Sequence, residues 1–591
     1  MQKILLLSTL LLIIIFTRQA MGQNTMPVGF SAEELINIQR SDYQEPLYTP
    51  KGITTPPPGP LRNMAQWEDV QGLTITWTSY ESVLREIVRA ARLQTQVYII
   101  CGFTCSGSSD STTIKNYLIS GGVLLSNVHY IYAPCNSVWT RDYSANSVYM
   151  NDVDSLILVD WKYNRPTRTN DDTVCRSVAI KLGIPLYETT QTPNKLVHTG
   201  GNYMTDGLGT AFSSELILDE NQSLSETQID DIMHDFMGID RYIKMPALPY
   251  DGIHHIDMHL KLLNEETLLV GQYPAGVADG PQIEANLQYI LSNFNSAFGT
   301  PYKVIRIPQP PDQYYNYNYP DNNGNYLTYT NSVIVNKTVI VPQFYTQYDT
   351  TAIRIWKEAM PGYTITGVNS NSTISASGSI HCITHSVGVN DPLLIVHQNL
   401  PNTANTTIPY QIDARIQHRS GIQSATLYYT TDTTQPFLNA AMSLTNISNN
   451  IWIGYIPPQP AGSTIYYYIK ATANSGKQQV RPMPAPLGTF KFDVLLFTSF
   501  KTFKNEEITV KPVYPNPSRG ITCIPLTIGK NTKGTIKLMD MYGNMVTLIY
   551  EGNMQAGEKN YFANTTGISA GAYMITIETT GGYFTQKLMI K

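Results

Sequence analysis

The sequence contains few cysteines, few charged residues and no long apolar run in its interior. Only six of its 591 residues are cysteines, too few and too scattered for a disulfide scaffold of this size. Charged residues make up 14%, the net charge is −5, and no basic stripe appears. This balance argues against a nucleic-acid-binding protein. No later segment approaches the roughly 20 apolar residues that a membrane-spanning helix needs, so we expect no transmembrane segment.

The N-terminus has the composition of a cleaved signal peptide. Residues 1–22 combine a Lys3 start, an apolar stretch over residues 4–16 and a small-residue end at Ala20-Met21-Gly22. The apolar stretch spans about 13 residues, too short to cross a membrane. We therefore predict a secreted protein, with an N-terminal extension over residues 23–48.

The middle of the chain has the pattern of an α/β domain, predicted over residues 49–390. Apolar residues recur at helical spacing from Val83 to Ala91 and from Ile283 to Phe294. Short apolar runs between them predict strands. These runs are residues 73–77, 97–101, 156–161, 216–218, 267–272, 302–307 and 332–342.

Helical periodicity disappears near Pro392. Alternating runs such as Ile465-Tyr467-Ile469 predict a β-sandwich over residues 391–500. A mostly polar linker follows over residues 501–508, and residues 509–591 have the strands and glycine-centred turns of a second small sandwich. With 591 residues, a chain of three or four folded units is expected.

Two cysteines, Cys101 and Cys105, lie close enough in sequence to form a disulfide in an oxidising compartment. The alternative is that both are simply buried. Their spacing is not that of a zinc site, since no second pair of ligands lies nearby.

Four motifs of the α/β region carry groups suited to a planar, cationic substrate. They are Trp139-Thr140-Arg141-Asp142, Gly200-Gly201-Asn202-Tyr203-Met204-Thr205-Asp206-Gly207, His255-Ile256-Asp257, and the loop Ser377-Gly378-Ser379-Ile380-His381-Cys382-Ile383-Thr384. Paired carboxylates accept hydrogen bonds from a guanidinium, and a tryptophan stacks on its plane. A histidine transfers protons and a thiolate attacks the electrophilic carbon.

Each motif also has a purely structural interpretation. Arg141-Asp142 fits an ion pair, Asp206-Gly207 fits a turn, and Gly200-Gly201 fits a close approach of two backbones. A lone cysteine is usually a buried packing residue. The order and joint presence of the four motifs favour the functional interpretation.

Together with Arg62-Asn63-Met64-Ala65-Gln66-Trp67-Glu68, these motifs stand in the order found in a known family. The chain resembles the guanidine-modifying hydrolases, and specifically the Porphyromonas-type peptidylarginine deiminases and their agmatine deiminase relatives. The resemblance implies a catalytic domain with the pentein fold, a five-bladed pseudo-symmetric α/β propeller, followed by two all-β sandwich domains.

The resemblance also implies roles for individual residues. Cys382 corresponds to the nucleophile, His255 to the general acid and base, and Asp142 and Asp257 to the carboxylates that bind the guanidinium. The implied reaction is attack on the guanidinium carbon, loss of ammonia, and hydrolysis of an S-alkylthiouronium intermediate to citrulline.

Further residues of the pocket follow from the same resemblance. Asn331 corresponds to an asparagine near the substrate, and Trp139 to an aromatic that lines the pocket. No metal or organic cofactor is implied, in contrast to the calcium-dependent vertebrate enzymes of the same chemistry. The implied substrates are peptides or proteins with arginine.

The segment from Asn164 to Asp172 resembles the family's Arg-Pro-Arg motif, whose two arginines hold the α-carboxylate of a C-terminal arginine. Arg165 corresponds to the first, and Arg168 to the second with Thr167 inserted before it. This predicts a preference for C-terminal peptidyl arginine over agmatine, because two cations repel an amine and bind a carboxylate. The alternative is that both arginines pair with Asp171 and Asp172 on the surface.

The last unit resembles the C-terminal sorting domain of type IX secretion in Bacteroidota. Its resemblance lies in Tyr514-Pro515-Asn516-Pro517, Asp540-Met541-Tyr542-Gly543 and the terminal Lys591. It implies the type IX secretion machinery as a partner and a location on the cell surface or outside the cell. Two rival functions are an agmatine or free-arginine deiminase and a degenerate pentein that only binds.

Overall fold

The computed structural model describes residues 26–44, 52–102, 105, 107–317, 326–495, 508–540, 545–579 and 582–591. The predicted signal peptide, residues 501–507 of the predicted linker and residues 541–544 lie outside the described residues. The described residues form two compact units. The first extends to Leu400 and includes Tyr410–Ile456 and Tyr466–Lys491, and the second comprises Pro401–Pro409, Pro457–Ile465 and the residues from Phe492 onward.

Helices occur only in the first unit among the described residues. They are α1 Ala32–Ile38, α2 Glu81–Ala91, α3 Ser111–Ser120, α4 Thr140–Tyr143, α5 Val174–Leu182, α6 Leu216–Asp219, α7 Glu226–Met237, α8 Gly280–Asn293, α9 Thr346–Ala359 and α10 Asn371–Ile374. The two predicted apolar faces are confirmed, since Ile87 in α2 and Ile290 in α8 are buried with their helical neighbours.

The α/β part of the first unit contains strands β1 to β18. They are β1 Leu61–Asn63, β2 Val70–Thr76, β3 Gln96–Cys101, β4 Val128–Tyr132, β5 Asn146–Met150, β6 Leu156–Tyr163, β7 Leu186–Thr189, β8 Val197–His198, β9 Met204–Thr205, β10 Thr210–Ser214, β11 Arg241–Met245, β12 Leu260–Asn264, β13 Thr267–Gln272, β14 Lys303–Pro308, β15 Val333–Val335, β16 Thr338–Gln343, β17 Thr364–Asn369 and β18 His385–Gly388.

These strands form five small sheets in the described part of the chain, and the sheets share one connectivity. In strand order they are β18-β2-β3-β4, β1-β5-β6-β7 with β8 beside β6, β9-β10-β11, β12-β13-β14 and β15-β16-β17. Each sheet contains an antiparallel pair followed by a parallel strand, for example β12 to β13 and then β13 to β14. Because parallel neighbours require a crossover connection, a helix such as α8 separates the parallel strands.

Two of the predicted strands are wrong. Residues 216–218 belong to helix α6, in which Ile217 is buried and accepts a hydrogen bond from Asn221 Nδ2 at 2.7 Å. Three apolar residues show no periodicity that distinguishes a strand from a helix. Residues 332–342 form two strands, β15 and β16, because the chain turns at Asn336, whose φ is 48°.

In the rest of the described chain, strands β19 to β25 and β27 to β33 pair antiparallel with their neighbours, and β26 lies beside β24. They are β19 Leu394–Val396, β20 Tyr410–Gln417, β21 Ile422–Thr430, β22 Leu438–Asn446, β23 Ile451–Ile456, β24 Thr464–Ala473, β25 Gln478–Arg481, β26 Phe490–Asp493, β27 Ile508–Val510, β28 Ile521–Ile528, β29 Thr532–Met539, β30 Met545–Met554, β31 Gly557–Asn564, β32 Gly571–Thr579 and β33 Gly582–Ile590. Strands β27 to β33 form two sheets, β27-β28-β31 and β30-β29-β32-β33, with one shared apolar core. The described C-terminal region is therefore β-rich, as predicted.

No helix within the described ranges has both the length and the hydropathy to cross a membrane.

Candidate active site

Four of the predicted site residues, and Gly201 of the glycine motif, lie shortly before a strand, one in each of the five sheets. Asp142, Gly201, Asp257, Asn331 and Cys382 precede β5, β9, β12, β15 and β18, and each of these strands pairs antiparallel with a neighbour. Three contacts join these segments in pairs, between Gly201 and Asp142, between Asn331 and Cys382, and between Cys382 and Asp257, with sequence separations of 59, 51 and 125 residues. The shared connectivity of the sheets therefore supplies one functional segment per sheet.

Cys382 is fully buried and held by a neighbouring loop. Asn331 Nδ2 donates a hydrogen bond to Cys382 Sγ at 3.2 Å, and Asn331 Oδ1 accepts one from His381 N at 2.9 Å. The carbonyl oxygen of Cys382 accepts from Arg141 N at 3.0 Å. These bonds fix the position of the sulfur from both sides. Burial raises the pKa of the Cys382 thiol well above its ordinary value, and the charges of Asp257 and Asp142 add to the shift.

Asp257 faces this sulfur. Its Oδ2 lies 3.6 Å from Cys382 Sγ and 2.7 Å from His381 Nδ1, which donates this bond when Asp257 is ionised. Its Oδ1 is buried without a hydrogen-bond partner among the described residues. Burial, followed by the charge of Asp142, raises the pKa of Asp257 to about 8. A buried carboxylate with an unused oxygen is suited to receive a cation.

His255 and Asp142 form the second half of the site. His255 Nδ1 lies 3.7 Å from Asp142 Oδ1, and Gly201 N donates to the same oxygen at 3.2 Å. A Cβ on Gly201 would lie 2.3 Å from His255 Nδ1, so only glycine permits this approach. Burial lowers the pKa of His255 well below its ordinary value and raises that of Asp142 to about 6. The imidazole is therefore neutral at pH 7.

Sequence reasoning missed a set of residues that hold these groups in place. His381 bridges from Asp257 to Gln66, whose Nε2 lies 2.8 Å from His381 Nε2. Lys261 Nζ donates to the carbonyl oxygen of Ser332 at 2.6 Å and also to Gln66. The only signal in the sequence was that Gln66 and His381 belong to family motifs, which does not reveal that they touch.

Trp139 and Arg165 contact the N-terminal segment instead of open solvent. Trp139 is fully buried, and its Nε1 donates to the carbonyl oxygen of Met26 at 2.9 Å. Arg165 Nε donates to the carbonyl oxygen of Val28 at 3.0 Å, and its guanidinium lies 4.6 Å from the centre of the Phe30 ring. The charge of Arg165 acts on both Asp142 and His255. Arg165 therefore lies in the wall of the site.

Arg168 forms a buried ion pair with Glu34. Arg168 Nε and Nη2 each lie 2.8 Å from a different oxygen of the Glu34 carboxylate, in the planar two-bond geometry typical of an arginine with a carboxylate. Thr167 Oγ1 donates to the same carboxylate at 2.7 Å. The inserted threonine therefore completes a carboxylate site around Arg168.

The alternative in which both arginines pair with Asp171 and Asp172 on the surface is wrong. Asp171 accepts from Asn136 N at 2.6 Å and from Ser137, and Asp172 accepts from Lys162 and from Tyr163 N at 2.8 Å. All four of the charged residues in that alternative are buried. The reason is that the turn after β6 carries both arginines into the interior.

The disulfide also differs from the pairing considered from sequence. Cys105 is bonded to Cys135, 30 residues away, and Cys101 is a free, buried thiol at the end of β3. The loops after the parallel neighbours β3 and β4 bring Cys105 and Cys135 side by side. Local spacing alone therefore suggested the wrong partner.

The α/β part of the chain is similar to a family of known proteins. Residues 63–387 match the family model of the Porphyromonas-type peptidyl-arginine deiminases. Two relatives are named "Putative agmatine deiminase". The Vibrio parahaemolyticus protein is 26% identical over 56% of this chain and 98% of its own length. The Legionella pneumophila protein is 28% identical over 44% of this chain and 75% of its own length.

An X-ray structure described as that of a putative agmatine deiminase is 21% identical to this chain. The match covers 58% of this chain and 100% of that structure, and the TM-score of 0.50 indicates a shared fold.

Residues 512–591 match a secretion system C-terminal sorting domain. This domain directs the protein through type IX secretion to the cell surface or the extracellular space. The family model covers more than half of the chain, and the chain therefore belongs to the Porphyromonas-type peptidyl-arginine deiminases, within the pentein deiminases.

Proposed function

We propose that this protein is a secreted deiminase that converts arginine, preferably a C-terminal peptidyl arginine, to citrulline and ammonia. The observation that carries the proposal is the placement of Cys382 Sγ 3.6 Å from Asp257 Oδ2, with Asp257 Oδ1 buried and unpartnered within the described residues. A guanidinium bound to that carboxylate would present its central carbon to the sulfur.

The two carboxylates provide the binding energy for the guanidinium. Asp142 and Asp257 are both buried, and each is destabilised as an anion by burial. A cation placed between them relieves this cost, and its N–H groups make charge-assisted hydrogen bonds. The same cation lowers the pKa of the Cys382 thiol, so substrate binding favours the thiolate.

The chemistry proceeds in two steps on this proposal. His255 takes the proton of the Cys382 thiol, and the thiolate attacks the guanidinium carbon and forms a C–S bond. The protonated His255 gives that proton to the departing nitrogen, and the C–N bond breaks with loss of ammonia. The neutral His255 then accepts a proton from water, whose oxygen attacks the same carbon. The C–S bond breaks, the sulfur takes the proton from His255, and the hydroxyl proton of the product passes to solvent, which leaves citrulline and the Cys382 thiol.

The preference for a carboxylate-bearing substrate is supported by Arg165 and Arg168, which lie in the wall of the site. Arg168 binds the Glu34 carboxylate through two parallel N–H bonds, and the α-carboxylate of a substrate would bind an arginine with the same geometry. The rival is an agmatine deiminase, which the names of the relatives favour. Agmatine has no carboxylate, so the two functions differ in their use of these arginines.

Substrate preference can be measured on a peptide that ends in arginine, its C-terminal amide, and agmatine. We expect the acid to be turned over fastest. Arg165→Ala should lower kcat/KM for the acid roughly 10- to 100-fold, the equivalent of the ~1.5–3 kcal/mol of a hydrogen bond to a charged group. It should leave the amide and agmatine much less affected. Arg176→Ala, at an exposed arginine of α5, is the control. Equal rates on acid and amide, or faster turnover of agmatine, would favour the rival.

The proposed function also assigns a role to each domain of the chain. We propose that the five small sheets are the five blades of a pentein propeller within residues 49–390, that residues 391–500 form an immunoglobulin-like module, and that residues 509–591 act only in export. The matched ranges 63–387 and 512–591 fall inside two of these domains. The signal peptide over residues 1–22 remains a prediction.

Removing residues 509–591 should separate export from catalysis. The truncated protein should retain deiminase activity, because no site residue lies in that region, and should accumulate in the periplasm. Citrulline formation in periplasmic, surface and medium fractions measures this. Full-length Cys382→Ala is the control, since it should be exported normally without activity. Delivery of the truncated protein to the surface at the normal level would contradict the role of the domain.

A further inference from the structure

Residues 26–38, which we call the N-terminal strap, are bound to the wall of the active site. Four hydrogen bonds hold the strap backbone to this wall. Trp139 Nε1 donates to Met26 O, Arg165 Nε to Val28 O and Arg168 Nη2 to Gly29 O, while Val28 N donates to Ala376 O, at distances of 2.6 to 3.0 Å. Val28 is completely buried in the main apolar core.

The strap also touches the loop that carries the nucleophile. A Cβ on Gly378 would lie 2.7 Å from Val28 Cγ2, so this glycine and the strap are in close contact four residues before Cys382. Cys382, His255 and Asp257 are all 0% exposed. A substrate therefore reaches the sulfur only after the described residues around it move, and the strap supplies Val28 to that wall.

Glu34 reaches Arg168 from the first turn of α1, and its position is fixed locally. Ser31 Oγ accepts a hydrogen bond from Glu34 N at 3.2 Å, and Ser31 N donates to Glu34 Oε2 at 2.7 Å, which is a capping box. Burial alone raises the pKa of Glu34, but the hydrogen bonds and charge of Arg168 overcome this and lower it to about 2. Glu34 is therefore an anion throughout the physiological range.

The carboxylate site of Arg168 and Thr167 is thus filled by a carboxylate of the same chain. Arg168 presents one pair of parallel N–H donors to Glu34, and a second carboxylate cannot use the same pair. We propose that Glu34 is a specificity-determining residue that competes with the substrate's α-carboxylate for Arg168, so that the docked strap restrains turnover of C-terminal arginine. This inference rests on the proposed function for its choice of substrate.

Competition predicts an effect that depends on the substrate. Glu34→Gln should lower KM for a peptide ending in arginine about tenfold with little change in kcat. The reason is that the α-carboxylate of the peptide no longer has to displace the anionic side chain of Glu34 from Arg168. The C-terminal amide and agmatine, which do not use Arg168, should change less than about threefold on the same argument. Thr167→Val, which removes one hydrogen bond to Glu34, should shift the acid in the same direction by a smaller factor. Glu33→Gln, at an exposed neighbour on α1, is the control and should shift nothing.

A binding measurement keeps this test separate from catalysis. In full-length Cys382→Ala, hydrogen–deuterium exchange of the α1 amides should become faster on addition of the acid peptide and stay unchanged with its amide or with agmatine. An equal drop in KM for all three substrates, or no drop with Glu34→Gln, would overturn the competition. If the wild-type protein produces no citrulline while the acid still accelerates α1 exchange, the proposed function fails and the competition at Arg168 stands.

Discussion

Cys382→Ala should reduce citrulline formation to the uncatalysed background. Loss of the nucleophile of a covalent hydrolase costs on the order of 10⁶-fold in kcat, because the remaining groups have no covalent intermediate to act on. The sulfur is buried, His381 N donates to the Asn331 side chain, and the Cys382 carbonyl oxygen accepts from Arg141 N, so the loop should keep its shape. We therefore expect a thermal midpoint within a few degrees of the wild type, consistent with a change of roughly 1 kcal/mol.

The matched control is Cys101→Ala, which removes a free, buried thiol of β3 in the same unit. Ammonia release and citrulline from a peptide ending in arginine measure both variants. Undiminished turnover by Cys382→Ala would remove the nucleophile from the mechanism. Absence of turnover by the wild-type protein on every guanidine compound would support the rival in which the fold only binds.

The residues of the candidate site could be named from motif order, whereas the architecture that brings them together could not. Asp142, Asp257 and Cys382 could be named because each stands in a short motif. The sequence shows no fivefold repeat, because the five sheets share connectivity and not residues. Apolar side chains of many kinds fill equivalent places in the core, so equivalent sheets need not look alike in sequence.

The contacts that sequence reasoning missed are those between distant segments. Gln66 and His381 are separated by 315 residues, and Glu34 and Arg168 by 134. No short sequence pattern marks either pair, because each contact forms only when segments far apart in the sequence are brought together by the fold. The same limit explains Cys105 with Cys135, where the loops of two neighbouring strands bring together residues that local spacing keeps apart.

Asp257→Asn should lower kcat/KM about 10³-fold, equivalent to roughly 4 kcal/mol and within the range for breaking one side of a buried, hydrogen-bonded charge pair. The amide removes the charge and turns an N–H donor toward the guanidinium. Asp235→Asn, at an exposed carboxylate of α7, is the control and should retain full activity. Activity of Asp257→Asn within tenfold of the wild type would exclude Asp257 as a guanidinium ligand.

The same substitution should stabilise the fold at alkaline pH, because Asp257 is costly when it is ionised without substrate. Its pKa is raised from 3.8 to about 8. A carboxyl group with a raised pKa in the folded state stabilises the fold below its unfolded pKa, and this contribution is lost as the pH rises toward 8. We therefore expect Asp257→Asn to raise the thermal midpoint relative to wild type at pH 8.5, with a smaller difference at pH 4.

The pH dependence of turnover by the wild-type protein measures the same carboxyl group. A substrate guanidinium should lower the pKa of Asp257, so the acid limb of kcat should lie at lower pH than the acid limb of kcat/KM. Coincident acid limbs together with an unchanged midpoint at pH 8.5 would show that Asp257 carries no such cost.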